Sequence, residues 1–267
     1  MQSRLARLSQ SSSQLITERH TMSGRTLLGM LTPSSNTTLE PVTAQILDAL
    51  PEASAHFGRF KVTEIALSGK ALAQFDLTGI LAAAELLSHA RCQVIGWSGT
   101  AAGWLGFDAD RHLCEAIETR TGTPACTSVL ALNEIFALSG LRRFGLVTPY
   151  RDDVQAAIVA NYGKAGFECV AERHLGLQDN FSFSEVTAAQ LRSMVAAVMS
   201  GPIEDRPQAV AIFCTNLRGA PLVEELEEEF GVPVYDSVAT VVWKSLKLVG
   251  ADTRRITRWG RLFREMN

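Results

Sequence analysis

The feature that most constrains the fold of this 267-residue chain is an internal repeat. Matched segments recur in the same order at spacings of 116, 115 and 109 residues. Three matches in one order predict two similar halves of about 110 residues. The three pairs are GMLTP at 29–33 with GLVTP at 145–149, VIGWSGT at 94–100 with VAIFCT at 210–215, and TGTPACTSVLAL at 121–132 with FGVPVYDSVATV at 230–241.

Within each half, short apolar runs alternate with longer helical patterns. This alternation predicts βαβ units, and therefore an α/β fold with a parallel sheet flanked by helices in each half. We expect a first half at 24–131, completed by a C-terminal helix within 238–267, and a second half at 132–237. The predicted strands are 25–33, 60–67, 92–99 and 123–128 in the first half, and 142–150, 167–176, 209–214 and 232–237 in the second.

The first 23 residues differ in composition from the rest. They are rich in Ser and Arg, have no acidic residue before Glu18 and lack the apolar core of a secretory signal. A disordered extension is the expectation for residues 1–23, with Met22 as an alternative functional start.

Composition and motifs narrow the class of protein. The net charge of −3 gives no basic footprint for nucleic acid, and no apolar run approaches the roughly 20 residues of a membrane span. Five cysteines without Cys-x-x-Cys spacing favour a reducing cytoplasm over a disulfide framework or a zinc site. Since the common nucleotide and metal motifs are missing too, we expect no cofactor and no metal. Oligomeric state is left open.

The candidate site follows from the repeat. Open α/β sheets bind ligands beyond the carboxyl ends of their strands. The two halves would therefore face each other across a cleft. Its expected lining is Thr32 and Pro33, Gly99 and Thr100, Pro149 and Tyr150, and Cys214 and Thr215.

Cys214 is the candidate catalytic residue. It ends the apolar run Ala209–Phe213 and is followed by Thr215 and Asn216, with a helix expected near Pro221. Nearby unpaired N–H groups would favour a thiolate. The other four cysteines lie inside predicted strands or helices and are interpreted as packing residues, and no histidine is placed to form a Cys–His pair.

Neutral donors surround this cysteine in the predicted cleft. Ser34 and Asn36 belong to the turn TPSSNTT, where helix capping competes with anion binding as the explanation. Thr100, flanked by Gly99 and Ala101, offers accessible N–H groups for a carboxylate.

Tyr150 and Asn180 complete this set of candidate donors. For Tyr150, packing with its hydroxyl in water is the alternative, and for Asn180 it is helix capping. Such donors would stabilise the enediolate-like charge that forms when a carbon beside a carboxylate loses a proton or CO2.

At these residues the chain resembles the aspartate/glutamate racemase superfamily, and within it the maleate isomerase and arylmalonate decarboxylase family. The resemblance spans about residues 25–250. It implies two Rossmann-like halves that enclose a cofactor-free site. The segments that carry it are TPSSNTT at 32–38, GTPACTS at 122–128, TPYRDD at 148–153 and CTNLRG at 214–219.

The resemblance also implies roles. In maleate isomerases both halves supply a cysteine. Here Cys214 takes the proton-donor position, while Gly99 stands where the nucleophile is expected. Arylmalonate decarboxylases likewise have Gly at the first position and keep the second cysteine.

Other positions are mixed between the two branches. The decarboxylase donors correspond to Thr100, Ala101, Tyr150 and the Thr215 amide, with Ala101 in place of a serine. Asn36 and Asn180 match carboxylate-binding asparagines of the isomerases.

The sequence thus predicts a cofactor-independent enzyme for a small carboxylate or dicarboxylate, with an enediolate-like intermediate protonated by Cys214. A decarboxylase-like reaction fits Gly99 best. The alternatives are maleate cis–trans isomerisation or a racemase-type reaction, and a non-catalytic carboxylate-binding protein.

Overall fold

A computed structural model of the chain describes residues 24–266, so the predicted extension at 1–23 lies outside the described residues. The described chain alternates strands and helices along its length. The strands are β1 Thr26–Pro33, β2 Ala53–Phe60, β3 Val94–Trp97, β4 Ala125–Thr127, β5 Arg143–Thr148, β6 Glu168–His174, β7 Ala209–Ile212 and β8 Val234–Asp236. The helices are α1 Leu39–Leu47, α2 Gly69–Leu72, α3 Leu77–His89, α4 Ala102–Leu105, α5 Phe107–Thr121, α6 Ser128–Leu138, α7 Asp152–Lys164, α8 Ala188–Val198, α9 Val223–Phe230, α10 Ser237–Leu248 and α11 Leu262–Glu265.

The strands form two four-stranded sheets of the same topology. Their orders are β2-β1-β3-β4 and β6-β5-β7-β8, and all neighbours are parallel. This arrangement confirms the predicted α/β fold with two similar halves. The strand register also reproduces the repeat spacings of 116, 115 and 109, because Leu31–Trp97–Thr127 and Val147–Ile212–Asp236 are equivalent rows of paired residues.

Equivalent helices begin with equivalent caps in the two halves. The Thr127 hydroxyl at the end of β4 accepts a hydrogen bond from the Leu130 N–H at the start of α6. The Asp236 carboxylate at the end of β8 accepts from the Val238 N–H at the start of α10. Each cap satisfies an N–H group that the helix itself cannot pair.

The last long helix, α10, packs on the first sheet as well as on its own half. It lies against β3 and β4 and pairs with α6. The Thr240 hydroxyl donates to the Ser128 carbonyl, and Lys244 forms an ion pair with Glu134. Gly96 permits this approach, since a Cβ there would stand 2.9 Å from Val241. The boundaries 24–131, 132–237 and 238–267 stay predictions.

The second strand differs from the expectation. The sequence predicted a strand at 60–67, whereas β2 spans Ala53–Phe60. As an edge strand, β2 is only half-buried along most of its length, so its composition carries little apolar signal. The more apolar segment after it contributes Val62 and Ile65 to the wall of the cleft.

One segment departs from the expectation that no apolar run reaches membrane-spanning length. By length and mean hydropathy of 1.3, Gly69–His89 passes that test, although one such segment is weak evidence. In the fold it comprises α2, a 3-10 turn at Ala73–Phe75 and α3. Helix α3 packs against β1, β2 and α5 through one face, on which Ile80, Ala83, Ala84 and Leu87 are buried.

Candidate active site

A small cavity lies between the two halves at the carboxyl ends of β1, β3, β5 and β7. Its free volume of about 20 Å³ is enough for a single water molecule. No side chain in its lining is charged. The lining residues are Pro33, Val62, Ile65, Phe75, Trp97, Gly99, Thr100, Ala101, Trp104, Tyr150, Asn180, Cys214 and Thr215.

Cys214 lies just beyond β7 and is 2% exposed. Its sulfur accepts a hydrogen bond from the Asn216 N–H at 3.4 Å. The Tyr150 hydroxyl and the Leu217 N–H, which donates to the Cys214 carbonyl at 3.2 Å, lie close enough to stabilise the charge of a thiolate. These N–H groups belong to a turn, because the next α-helix begins only at Val223.

The expectation of a favoured thiolate is wrong. Burial raises the pKa of the Cys214 thiol to about 11, although the Tyr150 hydroxyl and the two N–H groups act in the opposite direction. Desolvation of the charged form outweighs three donors. At neutral pH Cys214 is therefore a thiol, which suits a proton donor better than a resting nucleophile.

Tyr150 joins the two halves inside the cavity. Its hydroxyl lies 2.6 Å from the Thr100 hydroxyl of the first half and also contacts the Cys214 sulfur. Burial raises the pKa of Tyr150 well above its usual range, so the phenol stays protonated. The alternative interpretation, a packed ring with its hydroxyl in water, is wrong because the side chain is 2% exposed.

Backbone N–H groups on both sides of the cavity have no partner. Within residues 24–266, no hydrogen bond engages the N–H groups of Gly99, Thr100 and Ala101, or those of Cys214 and Thr215. Buried N–H groups in proteins are almost always paired. Five unpaired ones around one cavity make it a suitable site for an anion such as a carboxylate.

Two other predicted binding residues lie behind the cavity. The side-chain oxygen of Asn36 accepts from the N–H groups of Thr38 and Leu39, so this side chain caps α1. Its amide donates to the Thr215 hydroxyl at 3.1 Å. Ser34 is exposed, and its hydroxyl contacts the backbone of Val62. Neither residue is in the cavity lining.

Asn180 does line the cavity. Its amide donates to the Ser35 hydroxyl at 2.9 Å, and its N–H donates to the Thr63 carbonyl. It does not cap the following 3-10 turn. That role falls to Asp179, whose carboxylate accepts from the Ser182 N–H.

Asn216 lies in the loop after Cys214 and contacts both halves, a role that was not predicted. Its side-chain oxygen accepts from the N–H groups of Thr37 and Thr38, so it fixes the turn that precedes α1 in the opposite half. Its amide donates to the Asn180 carbonyl. A polar residue at a strand end was the available signal, but a partner 178 positions away cannot be read from one sequence.

Gly99 has no room for a side chain. A Cβ built on it would overlap the six-membered ring of Trp97, which ends β3. Ser98, the adjacent hydroxyl, points toward Met30 at 3.8 Å rather than into the cavity. The first half therefore offers N–H groups and an indole where the second half offers a thiol.

Other features of the described residues do not compete with this site. A cleft of about 440 Å³ on the outer surface, near Asp48 and Trp259, contains none of the predicted site residues. Residues 24–266 hold no group of three or more His, Cys, Asp or Glu side chains placed to bind a metal ion.

Known proteins resemble this chain over most of its length. The sequence profile of the family described as "Arylmalonate decarboxylase" matches residues 39–263. A maleate isomerase of Pseudomonas putida is 27% identical over 236 residues, covering 84% of this chain and 92% of that protein. The arylmalonate decarboxylase of Bordetella bronchiseptica is 29% identical over 190 residues, covering 68% and 78%.

A solved structure shows the same fold. It is a mutant of the Nocardia farcinica maleate cis-trans isomerase that carries a covalently bound succinylcysteine intermediate. It superposes with a TM-score of 0.80 at 24% identity, covering 90% of this chain and 98% of that one.

Proposed function

The chain belongs to the arylmalonate decarboxylase family, and we propose that it removes CO2 from a small malonate-type dicarboxylate and protonates the resulting carbon with Cys214. The observation that carries this proposal is the asymmetry of the cavity. A single thiol stands on one side, and on the other the Trp97 ring fills the place of a second one. A reaction that needs one proton donor and no covalent nucleophile fits this arrangement best.

Substrate binding relies on neutral donors. We assign the carboxylate that is retained to the unpaired N–H groups of Gly99, Thr100, Ala101 and Thr215, together with the hydroxyls of Thr100 and Tyr150. The second carboxylate would face the apolar part of the cavity, which holds no cation to stabilise it. Such a site favours loss of that charge as CO2 over its retention.

The bond from the central carbon to one carboxylate breaks, CO2 leaves, and the electron pair stays as an enediolate whose charge the donors stabilise. The Cys214 thiol gives its proton to the carbon. Because the pKa of this thiol is about 11, its thiolate recovers a proton readily from water.

Maleate cis–trans isomerisation is the second candidate. Similarity to maleate isomerases and the asparagines Asn36 and Asn180 favour it. It would need a nucleophile in the first half. Gly99 has no side chain, and the Ser98 hydroxyl points toward Met30 rather than into the cavity, so neither residue provides one. A non-catalytic carboxylate-binding protein is the third candidate, since the unpaired N–H groups would serve binding alone.

Turnover in D2O separates these candidates. The protein is incubated with malonate, methylmalonate, phenylmalonate or maleate, and CO2 release, fumarate and deuterium at the α-carbon are followed by NMR. We expect CO2 and one deuterium from a malonate, with a loss of about 10³-fold in Cys214→Ser. The matched control is Cys169→Ser, a half-buried cysteine of β6 in the same half, which should keep full activity.

Each other outcome points elsewhere. Fumarate from maleate would favour the isomerase, and tight binding without turnover would favour the binding protein. Equal turnover by wild type and Cys214→Ser would contradict the role of Cys214.

A further inference from the structure

Trp97 and Gly99 form a matched pair in the first half. Trp97 is 2% exposed, and its ring lies 5.1 Å from that of Phe60, centroid to centroid. The indole covers the Cα of Gly99 closely enough to exclude any Cβ there. The equivalent position in the second half is Ile212, two residues before Cys214. The first half thus has a large ring where the second half has a branched aliphatic side chain, and this ring lies over a residue without a side chain.

The indole continues an apolar wall on one side of the cavity. Val62, Ile65, Phe75 and Trp104 form the rest of this wall. The rings of Phe75 and Trp104 meet edge to face at 5.9 Å, so the wall is packed rather than open. The first half also supplies the Thr100 hydroxyl and the N–H groups of residues 99–101, and the second half supplies the Cys214 thiol and the Tyr150 hydroxyl. A ligand here has one end for polar donors and one substituent for the wall.

Opening of the cleft would leave the indole in place over residue 99. The contacts that close the cleft join opposite halves, such as Thr100 with Tyr150 and Asn36 with Thr215. Trp97, by contrast, is fixed to Phe60 and Gly99 of its own half. If the halves part to admit a substrate, the ring moves with the first half and still covers residue 99.

The geometry points to Trp97 as the residue that sets the size of the substrate, so that the acid taken by this protein carries hydrogen or a short alkyl group on its reacting carbon and an aryl group is rejected. This inference rests on the proposed decarboxylation and names its substrate class. An aryl group would have to displace a packed indole, and cores resist added volume. Malonate and methylmalonate are the matching probes.

The test replaces Trp97 with Ile, the residue at the equivalent position of the second half. Wild type, Trp97→Ile and Trp97→Phe are compared by kcat/KM for CO2 release from methylmalonate and phenylmalonate. We expect wild type to favour methylmalonate and Trp97→Ile to raise the phenyl-to-methyl ratio by about 10- to 200-fold. Trp97→Phe, which removes less volume, should fall between them and keeps the test usable if the Ile variant does not fold.

Two results would overturn the inference. One is an unchanged ratio in a variant whose melting transition remains cooperative. The other needs no variant: a wild-type preference for phenylmalonate over methylmalonate.

A binding experiment separates this inference from the proposed function. In a Cys214→Ser background, the affinities of methylmalonate and phenylmalonate are measured by calorimetry with and without Trp97→Ile. A shift of affinity toward phenylmalonate without any wild-type turnover would retain Trp97 as the size-determining residue and reject the decarboxylase. Turnover of both acids with no shift in ratio or affinity would reject the role of Trp97 and retain the decarboxylase.

Discussion

Two loops at equivalent places in the repeat contribute different groups to the cavity. The first-half loop, residues 98–101, follows β3. The second-half loop, residues 213–219, follows β7. The first-half loop contributes three unpaired N–H groups and no reactive side chain. The second-half loop contributes the Cys214 thiol and holds Asn216 against the other half. A duplicated fold can thus keep its backbone while one copy retains the chemistry and the other supplies anion binding and shape.

The strongest way to disturb this division is to remove the hydroxyl that links the loops. In Tyr150→Phe, Thr100 loses its partner and Cys214 loses a donor that lowers its pKa. We expect kcat to fall about 10²-fold, the usual effect of deleting one oxyanion donor. The value of kcat is measured from the CO2 released in a stopped assay. Tyr162→Phe, which alters a buried hydroxyl that has no partner among residues 24–266, is the control and should leave kcat unchanged.

The second test makes the first-half loop resemble the second. Gly99→Cys alone places a side chain into the Trp97 ring and should destabilise the fold by about 1–3 kcal/mol. Combining it with Trp97→Ile should recover most of this loss, because Ile is the residue at the equivalent place in β7. Urea unfolding of the single and double variants measures both effects. Equal stability of wild type and Gly99→Cys would contradict the close contact.

The third test concerns the caps that end β4 and β8. Burial raises the pKa of Asp236 to about 7, whereas its counterpart Thr127 does not titrate. A folded pKa above the unfolded one means that stability present below about pH 4 is lost as the pH rises toward 7. Asp236→Asn should reduce the fall in unfolding free energy between pH 5 and 7 by about 2 kcal/mol. Denaturant titrations at both pH values check this.

Asp110 keeps its own share of that pH dependence, because burial also raises the pKa of its carboxyl to about 7. Asp110→Asn combined with Asp236→Asn should therefore flatten the profile further. If the unfolding free energy of Asp236→Asn depended on pH as that of the wild type does, the assignment of this pH dependence to Asp236 would be contradicted.

The smallest expected effect is on the link between the second-half loop and α1. Asn216→Ala removes side-chain hydrogen bonds to the N–H groups of Thr37 and Thr38 and should cost about 1 kcal/mol. Thr187→Ala, which breaks the capping box of α8 within one half, is the matched control. Both should lower the melting temperature, but only Asn216→Ala should lower kcat, since it alone loosens the cleft.

The repeat explains why much of the site could be predicted from the sequence. Matched strand ends brought Gly99, Thr100, Tyr150, Cys214 and Thr215 to one place, and the cavity contains all five. Matched strand ends of this kind can be recognised in a sequence without any knowledge of tertiary contacts. Their assignment as binding and catalytic residues stays a prediction.

Features that depend on distant partners could not be predicted. The protonation of Cys214 depends on burial by both halves, and the fit of Trp97 over Gly99 depends on rotamer and packing. The position of β2 was missed for a related reason. An edge strand is half-buried, and the apolar residues that followed it belonged to the cleft instead.

The position of α10 has a consequence for synthesis on the ribosome. Strands β3 and β4 are complete once residue 127 has been translated, yet the helix that covers them ends at Leu248. The nascent first sheet therefore remains uncovered on that face while nearly the whole second half is made. Exposed apolar sheet surface promotes aggregation during such an interval. A chain truncated before Ser237 is expected to need a chaperone, even though every strand of both sheets would be present.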